Sequence, residues 1–254
     1  MALFTDGPPS SMDDLTGVDS QLMSVANVEG IDVTRKLGLA QDELALELHT
    51  LLGRLTCVDQ PFWFPAQPMV ENVVITPALK LWHTYRTLEM VYADAFNSQL
   101  NDRYAGKRDQ FHAKAKWAYE RLIESGVGMV LDPVPEAATP LVEPAVGGLL
   151  GGIFYVTMAW VNSAGQEGAC ASPADVTLVA SAILVHPGAA PPRATGWNVY
   201  AGRSPEALVM QNASPIAAGQ TWLQTNMPAT SGRAPGSGQG PDYIQAVPRF
   251  IQRG

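Results

Sequence analysis

The sequence predicts an α+β, multidomain protein: an N-terminal helical bundle followed by an antiparallel β-sandwich. Three observations predict it. Every lysine lies at or before Lys116, whereas 14 of the 20 prolines lie at or after Pro133. Up to Asp132, 18 acidic residues face 11 Lys and Arg, a balance of −7; beyond it, 6 against 5 leaves −1. Long, charged, proline-poor segments thus give way near residue 133 to weakly charged ones punctuated by Gly and Pro, as where helices yield to strands. The expected domains are 1–133, helical, 134–228, a sandwich, and 229–254, a tail.

The N-terminal elements follow in order. Pro8-Pro9-Ser10-Ser11 reads as a loop, and Met12 to Ala26 carries a weak helical pattern. Asp32 or Thr34 can cap the next segment, where Leu37, Leu39, Leu44, Leu46, Leu48, Leu51 and Leu52 recur among charges, predicting a helix from about Thr34 to Leu55. Three prolines between Pro61 and Pro68 make that stretch non-helical. Thr76-Pro77 is a helix start: a side-chain oxygen to cap, then a proline whose missing N–H costs nothing in the first turn. Leu81, Tyr85, Leu88, Tyr92, Ala95 and Phe96 make an apolar stripe from Pro77 to Ser98. Phe111, Ala115, Ala118 and Leu122 stripe a second helix, Tyr104 to Ser125, ended by Gly126. The short break at Asn101-Asp102 makes the two antiparallel neighbours.

After the Pro-rich linker Pro133 to Pro144, strand formers run from Phe154 to Val161 and stop at the turn Asn162-Ser163-Ala164-Gly165. Short candidates follow at 175–179, 182–186, 196–201, 207–211 and 221–225. Strands at roughly ten-residue spacing suit a sandwich running from about Leu141 to Thr225, with Trp160 and Trp197 as core candidates. The Pro/Gly/Ser-rich stretch Ala229 to Gly240 reads as a flexible tether. Beyond it, Tyr243, Ile244, Val247, Phe250 and Ile251 offer apolar anchors and Arg249 and Arg253 offer charge, the pattern of a docking arm.

Composition narrows the function classes. At 46% hydrophobic and 16% charged, the 254 residues suit packed domains that are soluble, and no run approaches the roughly 18 apolar residues of a membrane span. Met1 to Gly7 lacks the basic, apolar pattern of a secretory signal, so synthesis in a cytoplasm is expected. Cys57 and Cys170 fall in different expected domains and read as reduced thiols. A net charge of −8 speaks against a nucleic-acid-binding face, and leaves open a surface that DNA passes without sticking.

Chemistry is hard to find. His49, His83, His112 and His186 show no metal-ligand spacing, and no Gly-x-Ser-x-Gly elbow arranges a Ser, His and Asp. The run Gly147 to Gly152 lacks the lysine of a phosphate loop and reads as a lead-in to a strand. Glu89 and Asp94 read as a solvated helix face, and Trp82, Tyr85, Tyr92, Trp117 and Tyr119 as core or subunit contact. The expectation is a non-enzymatic protein without catalytic residues, cofactor or metal. A carbohydrate-binding module stacking sugars on Trp160, Trp197 or Trp222 is the rival from another class.

Two resemblances add to this reading. Trp160 to Gly168, followed by Gly196-Trp197-Asn198-Val199-Tyr200-Ala201-Gly202, resembles the fibronectin type III-like modules of virion proteins over about Leu141 to Thr225. The helical half resembles the head-to-tail adaptor (connector) proteins of tailed bacteriophages, through Val28 to Leu37, the leucine-rich helix, Thr76 to His83, and Asn101 to Tyr119. The resemblance implies a virion protein at the head–tail junction: a homo-oligomeric ring, a dodecamer, beneath the portal protein. Tail or neck proteins would dock on it, DNA would pass through its lumen without specific binding, and no membrane is involved. It also makes the portal the target of the arm Tyr243, Ile244, Val247, Arg249, Phe250, Ile251 and Arg253. A decoration or tail-associated virion protein is the nearer alternative.

Overall fold

The computed structural model describes residues 1–56, 69–99, 102–149 and 151–245. They form two compact units: Gly7–Leu131 with 241–245, and Met1–Asp6 with Asp132–Gly240. The first is mainly helical and the second is built of antiparallel sheets, so the α+β class expected from the sequence is what the chain adopts.

In the helical unit the described residues form α1 (Met12–Val18), α2 (Leu22–Glu29), α3 (Val33–Thr56), α4 (Pro77–Gln99) and α5 (Ala105–Ser125). Three of the starts have a local side-chain cause. Ser11 Oγ accepts from the Asp14 N–H at 3.3 Å while Asp14 accepts from the Ser11 N–H at 2.7 Å, a reciprocal cap for α1. Asp32 Oδ1 accepts from the Arg35 N–H at 3.0 Å and so caps α3. Thr76 Oγ1 accepts from the Leu79 N–H at 3.4 Å ahead of Pro77 in α4. Gly126, at φ +92°, ends α5 in a backbone conformation that a Cβ would strain.

Helices α4 and α5 run antiparallel along their length. Trp82 meets Tyr119 with ring centroids 4.9 Å apart, and Tyr92 stacks on Phe111 at 5.6 Å. Their apolar stripes close over α1, α2 and the start of α3 in one cluster that includes Leu15, Leu22, Leu37, Leu88 and Phe111. Each such side chain contributes roughly 1.5–3 kcal/mol by leaving water. The cluster therefore holds short helices that would not persist alone.

The strands, in chain order, are β1 (Val127–Met129), β2 (Leu141–Ala145), β3 (Gly152–Val161), β4 (Ala174–Leu178), β5 (Ala182–His186), β6 (Gly196–Gly202), β7 (Val209–Met210), β8 (Ile216–Ala217), β9 (Trp222–Gln224) and β10 (Asp242–Ile244). One sheet of the second unit has the order β2-β5-β9; the other is β4-β3-β6-β7, with β8 also on β6. Every pairing is antiparallel. Alternate residues Phe154, Val156, Met158 and Trp160 of β3 share a core with Ile183 and Val185 of β5, so the two sheets pack face to face. Trp160 and Trp197 are 2% and 0% exposed, as expected of core positions.

Several expectations need correction. Met12 to Ala26 is two helices, because Asp19 turns the chain between them. Pro133 to Pro144 is not a linker: Val134 and Ala137 are buried in the β core, and β2 starts at Leu141. The domain boundaries 1–133, 134–228 and 229–254 also shift, since residues 1–6 belong with the β unit and 241–245 with the helical one. Ala229 to Gly240 is no tether but is fixed to the β unit. Gln239 Oε1 accepts from the Val134 N–H at 2.7 Å, and Gln239 Nε2 donates to Asp132 O at 2.9 Å. The Met210 N–H donates to Arg233 O at 2.8 Å, and Ala169 bridges Ser237. The non-helical stretch 61–68 and Cys57 lie outside the described residues.

Candidate functional site

The arm predicted to dock divides in two. Tyr243 and Ile244 lie in β10, which pairs with β1 in the register Val127↔Ile244, Gly128↔Tyr243 and Met129↔Asp242. Ile244 is buried in its own unit and is therefore not a free anchor. The ribbon is pinned at close quarters: a Cβ on Gly128 would sit 2.5 Å from Thr76 Cγ2. Gln245 Nε2 donates to Glu124 O at 2.9 Å, fixing the last described residue beside the end of α5. Val247, Arg249, Phe250, Ile251 and Arg253 lie outside the described residues.

Buried polar groups are candidates for chemistry. His83 is fully buried in α4. Ser10 Oγ and His83 Nδ1 are 2.6 Å apart and His83 Nε2 lies 3.1 Å from Leu37 O, so the ring donates from Nε2 and accepts from Ser10. Burial pushes its pKa down to about 4, which keeps the imidazole neutral and fixes the loop before α1 to α3 and α4. Asp19 accepts from Tyr92 Oη at 2.6 Å, from Lys107 Nζ at 2.8 Å and from the Gln21 N–H at 3.1 Å. Burial alone would raise this carboxyl; the bonds from Lys107, Tyr92 and the Gln21 backbone hold it below its usual value. Both groups have all their partners within the fold and serve packing.

In the β unit, Glu167 gathers Tyr200, Asn198 and Arg233. Tyr200 Oη donates to it at 2.7 Å, and Arg233 Nη2 also donates to Tyr200 Oη at 2.8 Å. Arg233 belongs to the segment Ala229 to Gly240, so the cluster clasps that segment to β6. Cys170 beside it is pushed up to about 11 by burial and by the Glu167 charge, so it is a protonated thiol and not a nucleophile. Among the described residues no group of three or more His, Cys, Asp or Glu could hold a metal ion.

The surface of the helical unit is more informative. Leu46 is 71% and Leu39 41% exposed on α3, seven residues apart on one face, and Trp117 is 48% exposed on α5. Along α3 and α4 runs a groove whose lining includes Ile31, Leu39, Leu46, Met90 and Ala93. Its rim carries Glu29, Asp32, Asp42, Glu43 and Asp94 against Arg35 and Lys36. A second groove over α4 meets Trp82, Tyr119 and His112. Sequence reasoning took Leu39 and Leu46 as part of the leucine-rich helix without separating them from the core leucines. The signal was present: they fall off the stripe Leu37, Leu44, Leu48 and Leu52, all buried.

Other site residues read from the sequence fall as follows. Glu89 is not solvated: its side chain is 13% exposed and pairs with Arg86 and His112, each at 2.8 Å. Asp94 pairs with Lys36. Tyr92 and Trp82 are buried, as core aromatics should be. Trp160 and Trp197 are too buried to stack a sugar, and Trp222 packs against the β core. No described helix is long and apolar enough to cross a membrane. Compared with protein-family models, curated proteins and solved structures, the chain matches none.

Proposed function

We propose that this chain is a structural, non-enzymatic subunit: a head-to-tail adaptor of a tailed bacteriophage. It would form a ring beneath the portal, line the DNA channel and present a fibronectin type III-like module to its surroundings. The observation that carries the proposal is apolar surface exposed at two separate places on the helical unit, Leu39 with Leu46 on α3 and Trp117 on α5. A monomer that exposes apolar surface at two different places is suited to heterologous contacts, which form rings where the rotation between copies closes. The balance of −7 over residues up to Asp132 supports a channel lining from which DNA slides away without being held. The order of motifs from Val28 to Tyr119 supports the adaptor reading over a generic helical domain.

The carbohydrate-binding alternative loses two of its three candidate stacking residues, because Trp160 and Trp197 are core residues, and Trp222 is partly buried against the same core. A decoration or tail-associated virion protein remains the competing reading. Co-sedimentation of the purified chain with portal rings and with tail-less capsids tests the choice. An adaptor binds the portal ring and leaves capsid faces bare. Binding to capsid faces with none to the portal would establish decoration instead.

A further inference from the structure

The chain passes between its two units three times: after Asp6, after Leu131 and after Gly240. On the β side all three connections meet at one residue. Gln239 is 3% exposed and stands just before the third crossing, with only Gly240 between. Its Oε1 accepts from the Val134 N–H at 2.7 Å and its Nε2 donates to Asp132 O at 2.9 Å, so the side chain holds the first residues after the second crossing. Its own carbonyl accepts from the Met1 nitrogen at 2.8 Å, which ties in the residues that precede the first crossing.

The surroundings make the contact mutual. Gln239 Nε2 also donates to Gln166 Oε1 at 3.0 Å. Asn162, buried just past the end of β3, donates from Nδ2 to the same two acceptors, Asp132 O and Gln166 Oε1, each at 3.1 Å. Two buried amides thus share two acceptors, one amide anchored on β3 and the other carried by the third connection. Withdrawing the third connection strands the buried Val134 N–H, and withdrawing the second strands the Gln239 amide; either costs more than an exposed bond would. Residues 1–6 are bound to both: Asp6 Oδ1 accepts from the Glu136 N–H at 3.0 Å, and Met1 bonds Gln239. Gly238, at φ +104°, packs so closely on Met1 that a Cβ there would collide with Met1 O.

We propose that Gln239 is the lock of a three-way joint: with its amide in place the three connections are held together at the end of β3, and with the amide withdrawn they loosen together while the β core stays folded. The core residues of β3, β5 and β6 are held by their own packing, so the joint opens at lower cost than the sandwich. Arg233 holds the tail farther back, through Glu167 and Tyr200, and is not part of the lock. The joint stands whether or not the chain forms rings.

Hydrogen exchange of the full chain, read by mass spectrometry of its peptides, tests this. Gln239→Ala removes the three side-chain bonds, and exchange in residues 1–6, 132–137 and 229–240 should all quicken about tenfold or more, with peptides of β3, β5 and β6 unchanged. Gln239→Glu keeps an acceptor for the Val134 N–H but loses both donated bonds and turns a carboxylate on Asp132 O and Gln166 Oε1, so the same three segments should quicken. Arg233→Ala should quicken the tail alone and leave 1–6 and 132–137 protected. Quickening confined to 229–240 in both Gln239 variants, or spread through the β core in both, overturns the proposal. So does an Arg233→Ala protein in which all three segments loosen as they do without Gln239.

Discussion

Acidification is expected to destabilise the helical unit through one imidazole. His83 is fully buried, and its folded pKa is about 4 against an ordinary 6.5. Between those values the unfolded chain binds a proton that the folded one refuses, so stability is complete above about pH 6.5 and drains as pH falls towards 4. With these two values the loss between pH 7 and pH 5 comes to about 2 kcal/mol, and the full difference to about 3 kcal/mol. Asp14 and Asp19 do not enter this window: their folded values lie below the ordinary 3.8, so they act at lower pH. The assay is urea unfolding of the full chain followed by far-ultraviolet circular dichroism at both pH values, beside His83→Gln. Glutamine can still donate to Leu37 O but does not titrate, so the variant should start less stable at pH 7 and lose almost nothing further by pH 5. Equal losses in the two proteins would refute the assignment to His83.

Three further outcomes follow from the packing. Tyr92→Phe removes a hydrogen bond to the buried Asp19 carboxylate and should cost about 2 kcal/mol in the same unfolding assay, with Lys107 and the Gln21 N–H still in place. Trp197→Ala empties the centre of the β core and should cost about 3–5 kcal/mol, read as a lower melting temperature of the β unit. Arg233→Ala cuts the clasp on Glu167 and Tyr200, so limited proteolysis should cleave between residues 229 and 240 faster than in the parent chain.

Much of the helical unit was legible because its signals are local. Thr76-Pro77 and Asp32 act within one turn, and the stripe from Leu81 to Phe96 repeats at helical spacing, so α3, α4 and α5 end within a residue or so of where the pattern puts them. The long strands β3, β5 and β6 were legible for the same reason. The ribbon of β1 and β10 was not. Each strand is three residues long, and the partners are more than a hundred residues apart, so no periodicity can form. The segment 229–240 misled through composition. Pro, Gly and Ser report the lack of a regular local element, whereas Gln239 and Arg233 fix the segment through distant partners. As for the site, only the outer positions Leu39 and Leu46 could have been found, by asking which leucines miss the buried stripe.

The central claim is that this chain is a ring-forming structural subunit, and direct imaging of the purified full chain by electron microscopy, with mass photometry on the same sample, tests it. Closed rings of one copy number, with a central channel wide enough for a DNA duplex, are the expected result. Monomers throughout the accessible concentration range, or open filaments without closure, would contradict it.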